Sequence, residues 1–206
     1  SITHNTEYMA MMSIREMAVW LGRIDHCRGF GVQSPSAYAF IRYVVSEHYP
    51  YYAYDDLRRT MPRVSHLHEK VCRLYLRLAN KTQAGHWIFV GSPTEHQRAY
   101  VAAGCRRAVI DCCGAADVGD VLRRCGPHAV VVVRQGMASE AVVEAVCRVA
   151  SPDTLLVIDG IVRDPAARIA WRRLAADSRT SVLFDLYYCG IAFFDSRHKA
   201  EYKVNF

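Results

Sequence analysis

Residues 181–194, SVLFDLYYCGIAFF, decide the fold that we predict for this chain. They contain two apolar runs, residues 181–186 and 191–194, with a tight four-residue connection between them. Because a parallel crossover needs about a dozen residues or more, so short a connection allows only an antiparallel pair. We therefore expect the last strand of this hairpin to run against the rest of the sheet.

Four apolar runs of strand length come before this hairpin and alternate with segments of helical spacing. They are residues 86–90, 108–110, 129–133 and 155–158, of which the second ends at Asp111 and the fourth at Asp159. Strands that alternate with helices indicate right-handed crossovers and a parallel sheet. Runs rich in Val, Ile and Leu indicate a sheet covered on both faces. The predicted fold is α/β, with a Rossmann-like, doubly wound, mostly parallel sheet and an antiparallel last strand; residues 202–206 are a candidate further edge.

The first part of the chain has helical spacing only. We predict a helical N-terminal extension over residues 1–84 and an α/β domain over residues 85–206, packed together as one unit. Ser34 and Pro35 form a helix-start signal, whereas residues 51–56 are predicted to be a loop. The first helix is unusually apolar and carries Met9, Met11, Met12, Met17 and Trp20. Flexible Met side chains suit a contact with the sheet domain or with a second subunit, so a homodimer through the N-terminal helices is one expectation.

The composition excludes several classes of protein. The chain has 206 residues, of which 51% are hydrophobic and 22% charged, and a net charge of +6. This balance is typical of a globular protein. No apolar run is long enough to span a bilayer, and the charges of Arg15 and Glu16 argue against a signal peptide. The eight cysteines form no Cys-x-x-Cys pair, so we expect buried, reduced thiols and a cytoplasmic protein.

Arginines cluster around one helix near the end of the chain, at Arg163, Arg168, Arg172, Arg173 and Arg179. Aromatic residues do not alternate with them as they do in proteins that bind single-stranded nucleic acid. We interpret the cluster as a solvated helix face with local ion pairs, and we do not expect a nucleic-acid partner.

Four short segments carry a resemblance to a known family. They are GVQSP at residues 31–35, PYYAY at 50–54, RLYLRL at 73–78 and DLYYCGIAFF at 185–194. With the antiparallel hairpin, they resemble the class I SAM-dependent methyltransferases, and more closely a group of bacterial methyltransferase-like proteins with a helical N-terminal extension. The match is scattered over most of the chain and is more specific near its ends than in its middle.

The resemblance implies a site for S-adenosylmethionine after the first strand, where the family has an acidic residue and a glycine-rich turn. Residues 89–95 of this chain read FVGSPTE. Gly91 matches the family, and Ser92 follows it in the turn. Phe89 stands at the acidic position, and Glu95 stands at a later glycine. The family also places an acid on the ribose hydroxyls after the second strand, so Asp111 is a candidate for that role; a solvated loop acid or a helix cap is an equal alternative. The candidate cofactor-binding residues are Gly91, Ser92 and Asp111.

Ser92 and Glu95 also have an interpretation that needs no cofactor. Ser-x-x-Glu, with Pro93 at the first helical position, is the pattern of a capping box. Such a box satisfies the free N–H groups that a cofactor carboxylate would otherwise use. We favour this structural interpretation over a working cofactor loop.

The later strand exits depart further from the family. Asp159 matches its acid after the fourth strand and is the candidate catalytic residue. Arg134 follows the third strand where related metal-dependent O-methyltransferases have an acid, and Gly160 replaces a second frequent acid. One carboxylate does not make a cage for a divalent ion, so we predict no metal. Residues 112–128 leave room for one short crossover, so we expect one edge strand to be missing.

These features support three hypotheses. The first is a degenerate relative with weakened or lost SAM binding that acts as a binding or subunit-pairing module, and we favour it. The second is an active SAM-dependent O-methyltransferase acting on a small molecule. The third is a basic α/β domain that binds another anionic nucleotide at its strand ends.

Overall fold

The computed structural model describes residues 14–26, 31–47, 49 and 51–206. The described part begins with helix α1 (Ile14–Gly22), which a 3₁₀ turn (Ile24–His26) follows. Met17 and Trp20 of the Met-rich segment lie in α1, whereas Met9, Met11 and Met12 are outside the described residues. None of the helices in this described part is long and apolar enough to cross a membrane.

Three more helices precede the sheet. They are α2 (Pro35–Phe40), which continues into a π-helical turn (Ile41–Val45), α3 (Tyr52–Thr60) and α4 (His66–Thr82). The Ser34 hydroxyl accepts a hydrogen bond from the N–H of Ala37 at 3.4 Å, which confirms the predicted start of α2. The predicted loop at residues 51–56 is wrong, because α3 covers most of it. An acidic residue in its first turn and two arginines in its last turn favour this helix through the helix dipole.

The sheet has seven strands. They are β1 (His86–Val90), β2 (Val109–Cys113), β3 (Ala129–Val133), β4 (Leu155–Asp159), β5 (Val182–Asp185), β6 (Cys189–Phe193) and β7 (Ala200–Lys203). Their order is β2-β1-β3-β4-β6-β5-β7. Strand β6 runs antiparallel to β4 and β5, and every other pair is parallel. The predicted Rossmann-like, mostly parallel sheet with an antiparallel strand is therefore confirmed, and the further edge strand is β7.

Four helices connect the strands of the parallel part. They are α5 (Glu95–Gly104), α6 (Val118–Cys125), α7 (Glu140–Val149) and α8 (Pro165–Ala176). Helix α6 is the one element between β2 and β3, in a part of the chain that is described throughout, and β2 is the edge of the sheet. The expected loss of one edge strand is confirmed.

Two apolar cores lie on opposite faces of the sheet. On one face, Trp87 and Phe89 of β1 pack with residues of α2 and α4. On the other, Ile88 and Val90 of the same strand pack with residues of α6, α7 and α8. This division follows from the alternation of side chains along a strand, which points successive residues to opposite faces. Because helices cover both faces, consecutive residues of a central strand are all apolar.

One buried arginine connects the helices that precede the sheet. Arg77 of α4 is 7% exposed. Its guanidinium donates hydrogen bonds to the carbonyl oxygens of Val44 and Val45 and, at 3.2 Å, to the hydroxyl of Tyr54. These bonds satisfy a charged group that would otherwise be costly to bury, and they tie the π-helical turn and α3 to α4.

Candidate functional site

The carboxyl ends of β1, β3 and β4 meet at one edge of the sheet. Gly91, Arg134 and Gly160 are the residues that directly follow these strands, and Asp159 ends β4. Ligands of open α/β sheets bind in the crevice outside this edge. The arrangement of these four residues therefore decides what the predicted site can do.

Gly91 forms the turn at the end of β1. Its φ is +94°, a value that residues with a Cβ rarely adopt. Its N–H donates a hydrogen bond to the carbonyl of Cys113 at 2.9 Å. A Cβ added to Gly91 would lie 3.0 Å from Cγ of Met137 and 3.5 Å from Cβ of Arg134. The turn needs a glycine, but the space beside its Cα already contains protein side chains.

Arg134 lies over this turn. Its N–H donates to the carbonyl of Val90 at 3.2 Å, and its guanidinium donates to the carbonyl of Ser92. Its Nε is buried without a hydrogen-bond partner. An arginine that follows β3 thus reaches the residues that follow β1, and its side chain spans the mouth of the predicted cofactor turn.

The predicted capping box at Ser92 and Glu95 is wrong. Helix α5 begins at Glu95 with Thr94 as its N-cap. The Thr94 hydroxyl accepts from the N–H of Gln97 at 3.2 Å, and the Gln97 side chain accepts from the N–H of Thr94 at 2.9 Å. A capping box therefore exists, but it lies two residues later, and Ser92 is an exposed turn residue. The helix still satisfies its own N-terminal groups, as the structural interpretation requires.

Asp159 is held by a tyrosine of the helical extension. The Tyr75 hydroxyl donates a hydrogen bond to Oδ1 of Asp159 at 2.7 Å. Burial raises the pKa of Asp159 to about 6, although the Tyr75 hydrogen bond and the charge of Arg134 act in the opposite direction. The same burial raises the pKa of Tyr75 well above its ordinary value. At neutral pH the pair thus consists of a neutral phenol and a carboxyl group that titrates just below neutrality.

Asp111, the candidate ribose-binding residue, does not lie at this edge of the sheet. The sequence placed it at the end of the second strand, but β2 continues to Cys113, and Asp111 pairs with Ile88 in the middle of β1. Its carboxylate faces Nδ1 of His86, the first residue of β1, at 3.2 Å. The structure brings Gly91, Ser92 and Asp159 to one edge of the sheet and leaves Asp111 away from it.

The cysteines and the arginines agree with the sequence-based expectations only in part. The seven described cysteines are free. Cys112 is exposed, so the prediction of buried packing is wrong for it. Arg179 forms ion pairs with Asp177 and Glu144, both at 2.6 Å, as predicted for a solvated face with local pairs. The guanidinium of Arg163 instead lies over the ring of Tyr188, 5.3 Å from the ring centroid.

Sequence reasoning missed the two residues that shape this edge most. Tyr75 was noticed only as part of a family-like segment, and Arg134 only as a missing acid. The spacing of Val71, Tyr75 and Leu78 along α4 indicated that Tyr75 faces inward. No local signal could give its partner, because 84 positions separate Tyr75 from Asp159.

Three positions near this turn differ from the cofactor site that the family resemblance implies. Phe89, at the family's acidic position, is fully buried and packs 6.2 Å from the ring of Tyr75. Glu95, at a glycine position, is exposed at the first turn of α5. Arg134 and Met137 occupy the space beside Gly91. A small cavity of about 10 Å³ is lined by residues of α3 and α4, and neither Gly91 nor Asp159 is among them.

Comparisons with known proteins show similarity of fold only, and they assign neither a family nor an activity. No protein-family model matches the sequence, and no curated protein matches it at a significant level.

Many solved structures have a similar fold, and three of them illustrate the similarity. The SAH-bound methyltransferase PaMTH1 of Podospora anserina has a TM-score of 0.49 and 12% identity, over 78% of this chain and 94% of its own. The O-methyltransferase TomG of Streptomyces achromogenes, in complex with SAM, has a TM-score of 0.45 and 17% identity, over 72% and 92%. Cofactor-bound Rv0187 from MTB has a TM-score of 0.45 and 16% identity, over 84% and 94%. Because these three TM-scores are below 0.5, we describe the fold from the order and direction of its strands and not from the similarity.

Proposed function

We propose that this chain is a methyltransferase-fold protein with weakened or lost SAM binding that acts as a binding or subunit-pairing module. The observation that carries the proposal is the position of Arg134, whose side chain packs against Gly91 and donates to the carbonyl of Ser92. A cofactor in this turn would need both the space and the polar groups that Arg134 uses.

Charge and packing around the turn support the same proposal. Phe89 contributes no carboxylate because it belongs to the apolar core. The negative charge of Glu95 stabilises the N-terminus of α5, but it would repel an anionic group that approached that helix end. Together these side chains replace the features by which the family resemblance would place a cofactor.

Calorimetric titration with SAM and with its demethylated product tests the loss of binding. We expect no measurable heat from the folded protein at millimolar ligand, while an active methyltransferase in the same buffer gives a normal isotherm. The Arg134→Ala variant is titrated in the same way for comparison, because it removes the side chain that lies beside the turn without changing Gly91. Saturable micromolar binding to the unchanged protein would contradict the proposal.

The exposed face of α1 supports the pairing part of the proposal. Ile14 is 90% exposed and Leu21 is 56% exposed. Apolar side chains that lie together at a surface mark contact sites. We expect a dimer by light scattering after gel filtration, and a monomer for Leu21→Glu. Tyr52→Glu, at a residue of α3 that is 92% exposed, is the matched control and should stay dimeric. A monomeric unchanged protein at high concentration would contradict pairing.

An active O-methyltransferase acting on a small molecule is the second candidate, and one observation favours it. Asp159 has a pKa of about 6 at the carboxyl end of β4, and a general base works best with a pKa near the working pH. An assay of methyl transfer to a panel of hydroxylated small molecules decides between the two candidates. Turnover that Asp159→Asn abolishes would favour the enzyme, whereas absence of turnover together with absence of SAM binding favours the module.

A further inference from the structure

Three side chains of different chemistry meet near the edge of the sheet, away from the strand exits. They are His86 at the start of β1, Asp111 in the middle of β2 and Cys125 at the end of α6. Nδ1 of His86 lies 3.2 Å from Oδ2 of Asp111, and Sγ of Cys125 lies 3.6 Å from the same oxygen. All three ligand atoms lie within 4.8 Å of one another.

The topology explains why they meet. In the parallel register of β1 and β2, His86 pairs with Val109 and Ile88 pairs with Asp111. His86, Ile88 and Asp111 therefore point to one face of the sheet, the face that α6 covers. Cys125 ends α6 and so lies above this pair.

The distances suit a tetrahedral metal ion. Zinc binds imidazole nitrogen and carboxylate oxygen at about 2.0–2.2 Å and thiolate sulfur at about 2.3 Å, which places the ligand atoms about 3.3–3.6 Å apart. The two distances from Oδ2 of Asp111 are already in or near that range. One nitrogen, one oxygen and one sulfur ligand fill three positions, and water would complete the fourth.

The charges of the ligands and their exposure to solvent also suit a divalent metal ion. The carboxylate of Asp111 and the thiolate of Cys125 together balance a divalent cation. The side chains of His86 and Asp111 are 35% and 38% exposed, so an ion can reach them from solvent. Without an ion, the Cys125 thiol donates a hydrogen bond to Asp111. On binding, the thiol proton passes to solvent and sulfur bonds to the metal instead.

We propose that His86, Asp111 and Cys125 form a Zn²⁺ site that fastens edge strand β2 and helix α6 to β1. These elements lie where the outer strand of the sheet is missing, so β2 has a neighbour on one side only. A bound ion would link three segments that are otherwise held by β-pairing and apolar packing. The sequence-based prediction of no metal was drawn from the residues at the strand exits, and this site lies away from them.

Metal titration of the full chain tests the site. The protein is stripped with a chelator under reducing conditions and titrated with Zn²⁺ against a chromophoric competitor, and with Co²⁺ by absorption spectroscopy. We expect one ion per chain and, with Co²⁺, a thiolate-to-metal charge-transfer band in the near ultraviolet. Cys125→Ser should remove that band and weaken Zn²⁺ binding by more than about 100-fold, beyond the 10–100-fold effect of losing a merely supporting residue.

Cys112→Ser is the matched control. Cys112 lies in the same strand as Asp111, one position further on, so its side chain points to the opposite face of the sheet. This variant should bind Zn²⁺ and Co²⁺ as the unchanged protein does. His86→Gln, at a partly exposed residue, gives a second test, and circular dichroism establishes that each variant is folded. The proposal is overturned if the unchanged protein binds no Zn²⁺, or if Cys125→Ser and His86→Gln bind it equally well.

Discussion

The hydroxyl of Tyr75 donates a hydrogen bond of 2.7 Å to Oδ1 of Asp159, and so joins the helical extension to the carboxyl end of β4. The bond favours the charged form of the carboxyl group, whereas burial favours the neutral form. Burial has the larger effect, because the pKa of Asp159 rises to about 6. A buried carboxyl group with such a pKa makes the stability of the fold depend on pH.

The direction of that dependence follows from the two pKa values. The pKa of Asp159 is about 6 in the folded protein and 3.8 in an unperturbed carboxyl group. Between these values the folded state keeps a proton that the unfolded state has released. The contribution of Asp159 to stability is therefore fully present below about pH 4, falls as the pH rises and is lost above about pH 6.

Asp159→Asn should remove this part of the pH dependence. The amide keeps the shape of the side chain and an acceptor for Tyr75 but carries no charge. The free energy of unfolding of the variant, relative to the unchanged protein, should rise by on the order of 2–3 kcal/mol between about pH 4 and about pH 7. Urea unfolding at both pH values measures it. Asp153→Asn, at an exposed turn residue, should show no such change, and an equal change there would contradict the assignment.

Tyr75→Phe should destabilise the protein most at high pH. The variant loses the donor to a buried carboxylate, which is worth about 1.5–3 kcal/mol when the acceptor is charged. The pKa of Asp159 should rise further, because the hydrogen bond that lowers it is gone. Chemical denaturation at about pH 8, compared with about pH 4.5, measures the difference. Tyr52→Phe, at a tyrosine that is 92% exposed, should leave both values unchanged.

Gly91→Ala should lower the free energy of unfolding because of the backbone conformation of the turn. The residue has a φ of +94°, and its added Cβ would lie 3.0 Å from Cγ of Met137. Backbone strain of this kind costs about 1–3 kcal/mol, and displacement of Met137 adds to it. Thermal or urea unfolding measures the loss. Gly85→Ala is the control, because its Cβ would meet nothing within 4 Å; an equal loss at both positions would argue against a special role for the turn.

Apolar periodicity was sufficient to predict the central strands. Residues 129–133, AVVVV, are all buried, and the predicted bounds of this strand agree with the structure. At the sheet edge the same signal failed. Every residue of strand β2 is exposed or partly buried, so its continuation through Asp111 to Cys113 had no buried apolar run to mark it. The candidate ribose residue was therefore placed at the end of a strand of which it occupies the middle.

The start of α5 shows a second limit of sequence reasoning. Residues 92–97, SPTEHQ, contain two overlapping capping-box patterns, Ser92 with Glu95 and Thr94 with Gln97. Both satisfy the same local rule. The choice between them depends on contacts from distant residues. The Ser92 carbonyl accepts a hydrogen bond from Arg134, and His68 of α4 lies 3.2 Å from the Thr94 hydroxyl.

Arg77 should be the residue whose loss most weakens the attachment of the N-terminal helices. Its guanidinium is buried and donates to the carbonyls of Val44 and Val45 and to the hydroxyl of Tyr54. Arg77→Met keeps much of the apolar stem but leaves these three acceptors without their donor, at a cost of about 1–3 kcal/mol for each buried group that finds no water.

We expect urea unfolding of Arg77→Met to show a loss of several kcal/mol, on the order of 3, and limited proteolysis to cut first between residues 41 and 60. The comparison is Arg148→Met, at an arginine whose side chain is 70% exposed, which should change the free energy of unfolding by less than about 0.5 kcal/mol. If Arg77→Met is as stable as the Arg148 variant, the bonds of Arg77 do not hold the extension in place. If it loses stability without earlier cleavage, the extension and the sheet unfold together.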